Sequence, residues 1–238
     1  MEPRKKSIVL PLSQEQAIIK EGSGLHDRLL RRGEVNWTLN IPDYVSSLTE
    51  SIDGKEVVDK ERIFALKCID YNALQIEIHR VCYEDVLVFW NICSFCGEPS
   101  PHAMDLSKLN MIPMPPGSSG GKNPLFDYKL PRSERKIKMQ YLTVAQQRII
   151  DSERMNTGNT DLNQSDFMSL HSLEGCDPVT YEEVLNLPLL DHKFIRDKQK
   201  ELVCGYDTNI LTQCSNKKCM KREIVDIMTL KDFLFPGG

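Results

Sequence analysis

Cysteine placement limits the folding of this chain more than any other feature. Cys93-Ser94-Phe95-Cys96-Gly97 has the two-residue spacing of a metal knuckle, and Cys214 and Cys219 form a second close pair with four residues between them. Two such pairs suit a closed tetrahedral structural zinc site, each pair gripping the ion from one side. Gly97 fits the sharp backbone turn just past the knuckle. Cys96 and Cys214 are 118 residues apart, so one ion held by Cys93, Cys96, Cys214 and Cys219 clips the middle of the chain to its end. Such a site has no open coordination position, which argues for architecture and against metal catalysis. The competing reading is a set of buried core cysteines, the role expected for Cys68, Cys82, Cys176 and Cys204.

The chain has 238 residues, 40% hydrophobic and 27% charged, with a net charge of −4. That is room for one large domain or two small ones, with no overall basic field for nucleic acid. Eight cysteines in this length do not make a disulfide scaffold. Ile8-Val9-Leu10 is too short for a signal peptide, and no stretch approaches a membrane span of about 20 apolar residues. A protein of a reducing cytoplasm is expected.

The pattern of residues predicts short helices and antiparallel strands, an α+β fold. Residues 7–12 read as extended, and Ser13 as the cap of a helix through Ile19. Asp59 opens a clearer helix with Ile63, Phe64 and Leu66 on one face. Residues 73–83 are ambiguous, because Leu74, Ile76 and Ile78 alternate with Gln75 and Glu77. Val86–Ile92 is a strand running into the first knuckle, with residues 102–106 as its returning partner. Pro and Gly crowd residues 113–124, a linker between an N-terminal half (1–112) and a C-terminal half (125–238). Beyond it come a hairpin over 126–142, a helix capped by Thr143, short helices over 165–173 and 180–187, and a helix capped by Asp191. Thr208–Gln213 and Ile224–Ile227 flank the second knuckle, and Leu230–Phe235 ends the chain in apolar residues.

The two halves share an order of parts. Leu12-Ser13 matches Leu142-Thr143 at an offset of 130, Asp59 matches Asp191 at 132, and Cys93 matches Cys214 at 121. Each knuckle is followed by a strand carrying an Asp, at Asp105 and Asp226. This predicts two weakly related halves, each giving half of the metal site.

The order of a strand with Leu-Ser/Thr before a helix, an Asp-led helix, Cys-x2-Cys-Gly, an Asp-Leu strand, a Leu-Pro hairpin with a Thr-led helix, a late Asp-led helix, a second cysteine pair and the terminal Asp232-Phe233-Leu234-Phe235 resembles the baseplate hub assembly proteins, or tail assembly chaperones, of contractile-tailed, T-even-like bacteriophages. The resemblance spans residues 7–235. Two departures stand out: the second pair, where the family shows a second C-x2-C with Gly and this chain has Cys214-x4-Cys219 followed by Met220, and an insertion-like polar stretch in the N-terminal segment. The resemblance implies a non-enzymatic protein whose partners are tail or baseplate hub proteins, in the host cytoplasm during assembly or in the virion tail.

No phosphate loop, nucleophile elbow or His-Glu-x-x-His helix is present. His102, six residues past Cys96, is the one substitute ligand. The alternative function is a zinc-ribbon nucleic-acid-binding protein using Lys217, Lys218, Lys221 and Arg222 around the second knuckle. The second knuckle and the tail beyond it supply no interleaved exposed aromatics for base stacking.

Overall fold

The computed structural model describes residues 3–31, 40–56, 58–117, 121–157, 162–230 and 233. The chain folds as one α+β unit built twice. In the first copy, strands β1 (Lys5–Val9), β2 (Gln16–Lys20) and β3 (Thr49–Ile52) form an antiparallel sheet. Helices α1 (Gly24–Arg31) and α2 (Ile41–Leu48) lie between β2 and β3. Then follow α3 (Lys60–Ala65), the long α4 (Cys68–Tyr83), and a hairpin of β4 (Val86–Ile92) and β5 (Pro99–Asp105). After a two-residue strand β6 (Met111–Ile112) the order recurs. Strands β7 (Leu125–Lys129), β8 (Lys136–Gln140) and β9 (Leu170–Leu173) make the second sheet, with α5 (Val144–Thr157) and α6 (Leu162–Ser169) between β8 and β9. Next come α7 (Tyr181–Leu185), α8 (Leu189–Glu201), the short β10 (Gly205–Tyr206), and a hairpin of β11 (Asn209–Gln213) and β12 (Arg222–Asp226).

The duplication extends to details that chance does not repeat. The second strand of each sheet carries a register shift at the same place, Ile18/Ile19 and Lys138/Met139. Each first hairpin turns through a residue with left-handed backbone, Gln14 at φ 59° and Glu134 at φ 58°. A buried carboxylate fixes each turn. Asp70 accepts from the N–H groups of Leu12 (2.8 Å) and Ser13 (3.1 Å), and Asp191 accepts from those of Arg132 (2.8 Å) and Ser133 (3.0 Å). Asp70 and Asp191 are each the third residue of the long helix, α4 or α8. The step between copies is 120 residues at the first strands (Lys5 and Leu125) and 121 at the long helices (Cys68 and Leu189).

Three sequence expectations need correcting, and one ambiguity is resolved. The chain after Ser13 is strand β2, not a helix, because the turn at Gln14 returns it against β1 and its β-branched Ile18 and Ile19 pair in the ladder. Residues 73–83 are the body of α4. Their apparent alternation arises because this helix is buried nearly all round, with Gln75 and Glu77 as enclosed as Leu74, Ile76 and Ile78. Residues 165–173 divide into the end of α6 and strand β9. Asp191 sits inside α8, whose N-cap is Pro188, and its carboxylate serves the distant turn rather than its own helix. The true counterpart of Asp191 is therefore Asp70. That of Asp59 is Thr180, and both cap their helices, α3 and α7, by accepting a backbone N–H three residues on. The offsets of 130 and 132 fall away, while the cysteine offset of 121 runs through the molecule.

The two copies interlock rather than sit side by side. One core gathers Leu10, Ile19, Leu48, Leu74, Ile76, Leu87 and Phe89 from the first copy, and takes Val144, Ile227 and Phe233 from the second half of the chain. The other core, around Phe126, Ile137, Met139, Val184 and Ile195, takes Leu12 from the first copy. Strand β6 pairs with β10 across the halves. At β10, Gly205 has φ +87°, and a Cβ there would meet Ile69 Cγ2 at 2.8 Å, so this crossing requires glycine. Glu77, almost fully enclosed on α4, is held by Lys6, by Arg80 at 2.7 Å and by the Tyr206 hydroxyl from the second half at 2.9 Å. Residues 118–120 of the expected linker lie outside the described residues. Beyond them, Lys122 bridges Glu15 (3.2 Å) and Asp53 (2.9 Å) of the first copy.

Candidate metal centre

Each hairpin carries its cysteines at the tip because the strands deliver them there. In β4, Leu87 and Phe89 face the core while Val86, Val88 and Trp90 face outward, and the ladder with β5 ends at Ile92–Pro99. Cys93 follows directly. Its N–H donates to Glu98 O (3.0 Å), and Gly97 N–H donates back to Cys93 O (2.8 Å), closing a tight knuckle with Gly97 at φ 73°. In the second hairpin Cys214 N–H donates to Lys221 O (2.9 Å), and Met220 N–H donates to Asn216 O (2.9 Å). Met220 has φ 46°, the same left-handed position that Gly97 fills in the first knuckle. The longer spacing of the second pair is thus absorbed within the loop, and the geometry past its last cysteine is kept.

The inner faces of the two hairpins pack on the same core, Leu87 and Phe89 from one and Ile210 and Val225 from the other. Glu223 of β12 accepts from Asn91 Nδ2 (2.7 Å) and from the Ser94 N–H (3.3 Å), so β12 grips the first knuckle directly. Ser100 of β5, fully buried, accepts from the Ser215 N–H at 3.0 Å and points its hydroxyl at Cys214 Sγ, 3.8 Å away. These contacts bring all four expected sulfurs together, with the ligand atoms of Cys93, Cys96, Cys214 and Cys219 within 4.8 Å of one another. The sulfurs of Cys93 and Cys219 are 3.8 Å apart, and those of Cys96 and Cys214 are 3.6 Å apart. A tetrahedral metal bound to sulfur at about 2.3 Å requires sulfur–sulfur edges of about 3.8 Å, so the donor set fits one ion.

Electrostatics point the same way. The Phe95 N–H lowers the Cys93 thiol, with the Cys96 N–H and the neighbouring thiols adding to this. At Cys96 the Glu98 N–H acts to lower the thiol, yet desolvation and the three other cysteines push it up to about 12. The neighbouring cysteines oppose ionisation of Cys96, and a divalent cation bound among the sulfurs would remove that opposition.

The remaining candidates lie elsewhere. His102 packs against the Phe89 ring, with centroids 5.3 Å apart, and is not in the cluster. Burial pushes Cys68 up to about 12, Cys82 accepts from the Gly22 N–H, Cys176 accepts from Arg135, and Cys204 donates to the Tyr141 hydroxyl. A cavity of about 400 Å³ lies between the halves, lined in part by Asn72, Tyr141, Gln199 and Tyr206, and contains none of the four clustered cysteines. Sequence reasoning missed Ser100 and Glu223, the two polar groups that lock the knuckles together. Neither has a spacing signal, because each acts across the hairpin pair rather than along its own strand. Among the described residues, no helix is long and apolar enough to cross a membrane. No family model, no curated protein and no solved structure matches the chain.

Proposed function

We propose that the four cysteines hold one structural zinc ion, and that the chain is a non-enzymatic protein of a contractile phage tail, acting in baseplate hub assembly as a chaperone or as a baseplate component. The observation that carries the first part is the closed set of four sulfurs, two from each copy of the repeat. When bound, the ion supplies a cross-link and no reactive position. Cys93 and Cys96 hold it from the first copy, Cys214 and Cys219 from the second, while Ser100 and Glu223 fix the loops that present them. The tail assignment rests on the resemblance over residues 7–235, and a rigid clipped scaffold is what an assembly protein needs in order to present fixed surfaces to partners. Mass spectrometry of purified virions and of tail assembly intermediates tests it. The expected result is the chain in one or both, co-purifying with hub proteins. Its absence from both rejects the tail role.

A second reading has one observation in its favour. The exposed Phe95 of the first knuckle lies beneath Lys221 of the second, 5.8 Å from ring centroid to ammonium, and Lys217, Lys218 and Arg222 in the same stretch of chain as Lys221 are exposed. The aromatic that the second knuckle lacks is thus supplied by the first, as a single-strand nucleic-acid platform would require. A mobility shift with single-stranded DNA or RNA that weakens steeply with salt supports this reading.

A further inference from the structure

The outer face of the first hairpin is apolar but for one residue at its base. Val86, Val88, Trp90 and Ile92 of β4 are 51%, 57%, 59% and 69% exposed. Their cross-strand partners Ala103, Pro101 and Pro99 are also exposed, and Asp105 opposite Val86 is the one charge in these rows. From those exposures, this face leaves about 600 Å² of apolar surface in water, at the upper end of the largest patches on ordinary monomers.

The duplication supplies an internal control. Counted from the 3-10 turns that end the hairpins (Leu106–Lys108 and Ile227–Thr229), the row Val88–Ala103 corresponds to Leu211–Ile224, which is also exposed. The next row is Trp90–Pro101 in the first copy and the polar Gln213–Arg222 in the second. The first hairpin then adds a further apolar row, Ile92–Pro99, for which the shorter second ladder has no counterpart. The two copies share a fold and a core role, yet only the first hairpin carries the apolar rows on through Trp90–Pro101 and Ile92–Pro99.

We propose that this face is the seat of a second copy of the chain, packed face to face about a two-fold axis. Proline at 99 and 101 removes N–H donors from β5, which disfavours strand addition along that edge, while the apolar side chains of these rows lie on the face. A two-fold contact sets each surface against itself, so a charged face opposes its own charge, whereas a nearly uncharged apolar face is self-compatible. Two faces of this size bury about 1,200 Å² in total, the lower end of the range for stable interfaces. The dimer is accordingly a concentration-dependent one.

Sedimentation velocity on the full, metal-loaded chain over a concentration series tests this, with Val88→Lys on the face and Leu211→Lys on the equivalent position of the other hairpin. The expected result is a wild type whose average mass rises from monomer toward dimer. Val88→Lys should raise the dissociation constant by tenfold or more, about the effect of burying a like-charge pair, and Leu211→Lys should leave it unchanged. Metal content and circular dichroism confirm that each variant is folded, and Val86→Lys replaces Val88→Lys if the latter is not. A wild type that stays monomeric to its solubility limit overturns the proposal, whether the face then binds a different protein or remains in water. So does a dimer that the face variants leave intact, or that Leu211→Lys weakens equally.

Discussion

At the scale of single residues, the two copies show what each position is for. Met220 holds the left-handed backbone that Gly97 holds in the first knuckle, and a side chain there carries strain that glycine does not. Met220→Gly should therefore stabilise the metal-loaded protein by about 1 kcal/mol, read as a higher urea midpoint with unchanged slope. Positions 15 and 62 carry Glu and Arg, joined at 2.6 Å, while their equivalents 135 and 183 carry Arg and Glu, so the copies have exchanged the two signs. Asp191→Ala leaves the N–H groups of Arg132 and Ser133 without their acceptor, and should lower stability by about 1–3 kcal/mol. Only part of this was legible beforehand. An Asp in the first turn of a helix reads as a cap or a dipole partner. The clue to a longer-range role was arithmetic, since Asp70 and Asp191 differ by the same 121 as Cys93 and Cys214.

At the scale of elements, the strands beside the knuckles and the helix led by Asp59 were readable because period and caps agree with their surroundings. Strand β2 was not, because Ser-Gln-Glu before an apolar run is also a helix-start signal, and only pairing with β1 and β3 decides it. Helix α4 was not, because burial on all sides erases the amphipathic period. Phe233, the one described residue beyond Leu230, lies in the core. It stacks on His79 with ring centroids 5.1 Å apart, and its carbonyl is 2.6 Å from His79 Nδ1. The other residues of 231–235 lie outside the described residues. Phe233→Ala should lose about 3–5 kcal/mol, and truncation after Met228 should abolish cooperative melting. Burial lowers the pKa of His79 despite the bond to Phe233 O. The folded state thus binds its proton less readily than the unfolded chain, and this stability is complete above the unfolded pKa near 6.5 and lost as pH falls below it. Stability measured from pH 7.5 to 5 should fall more steeply in the wild type than in His79→Asn.

At the scale of the whole molecule, a cluster of four cysteines joining two halves was foreseeable from the sequence, but the interlocking of the cores was not. Val144, Ile227 and Phe233 complete the first core and Leu12 completes the second, and no local pattern announces a residue's service to the other half. A chain built this way should unfold in one transition while metal is bound, without separate steps for residues 1–112 and 125–238. Cleavage near Gly117 should leave the two fragments associated. The central claim is that Cys93, Cys96, Cys214 and Cys219 close on a single ion. Native mass spectrometry of the purified chain, followed by cobalt exchange, measures this directly. The expected result is one zinc per chain, cobalt–thiolate absorption after exchange, and loss of both in Cys96→Ser and Cys219→Ser. Well under half an equivalent of metal, with no thiolate band in the wild type, would contradict it.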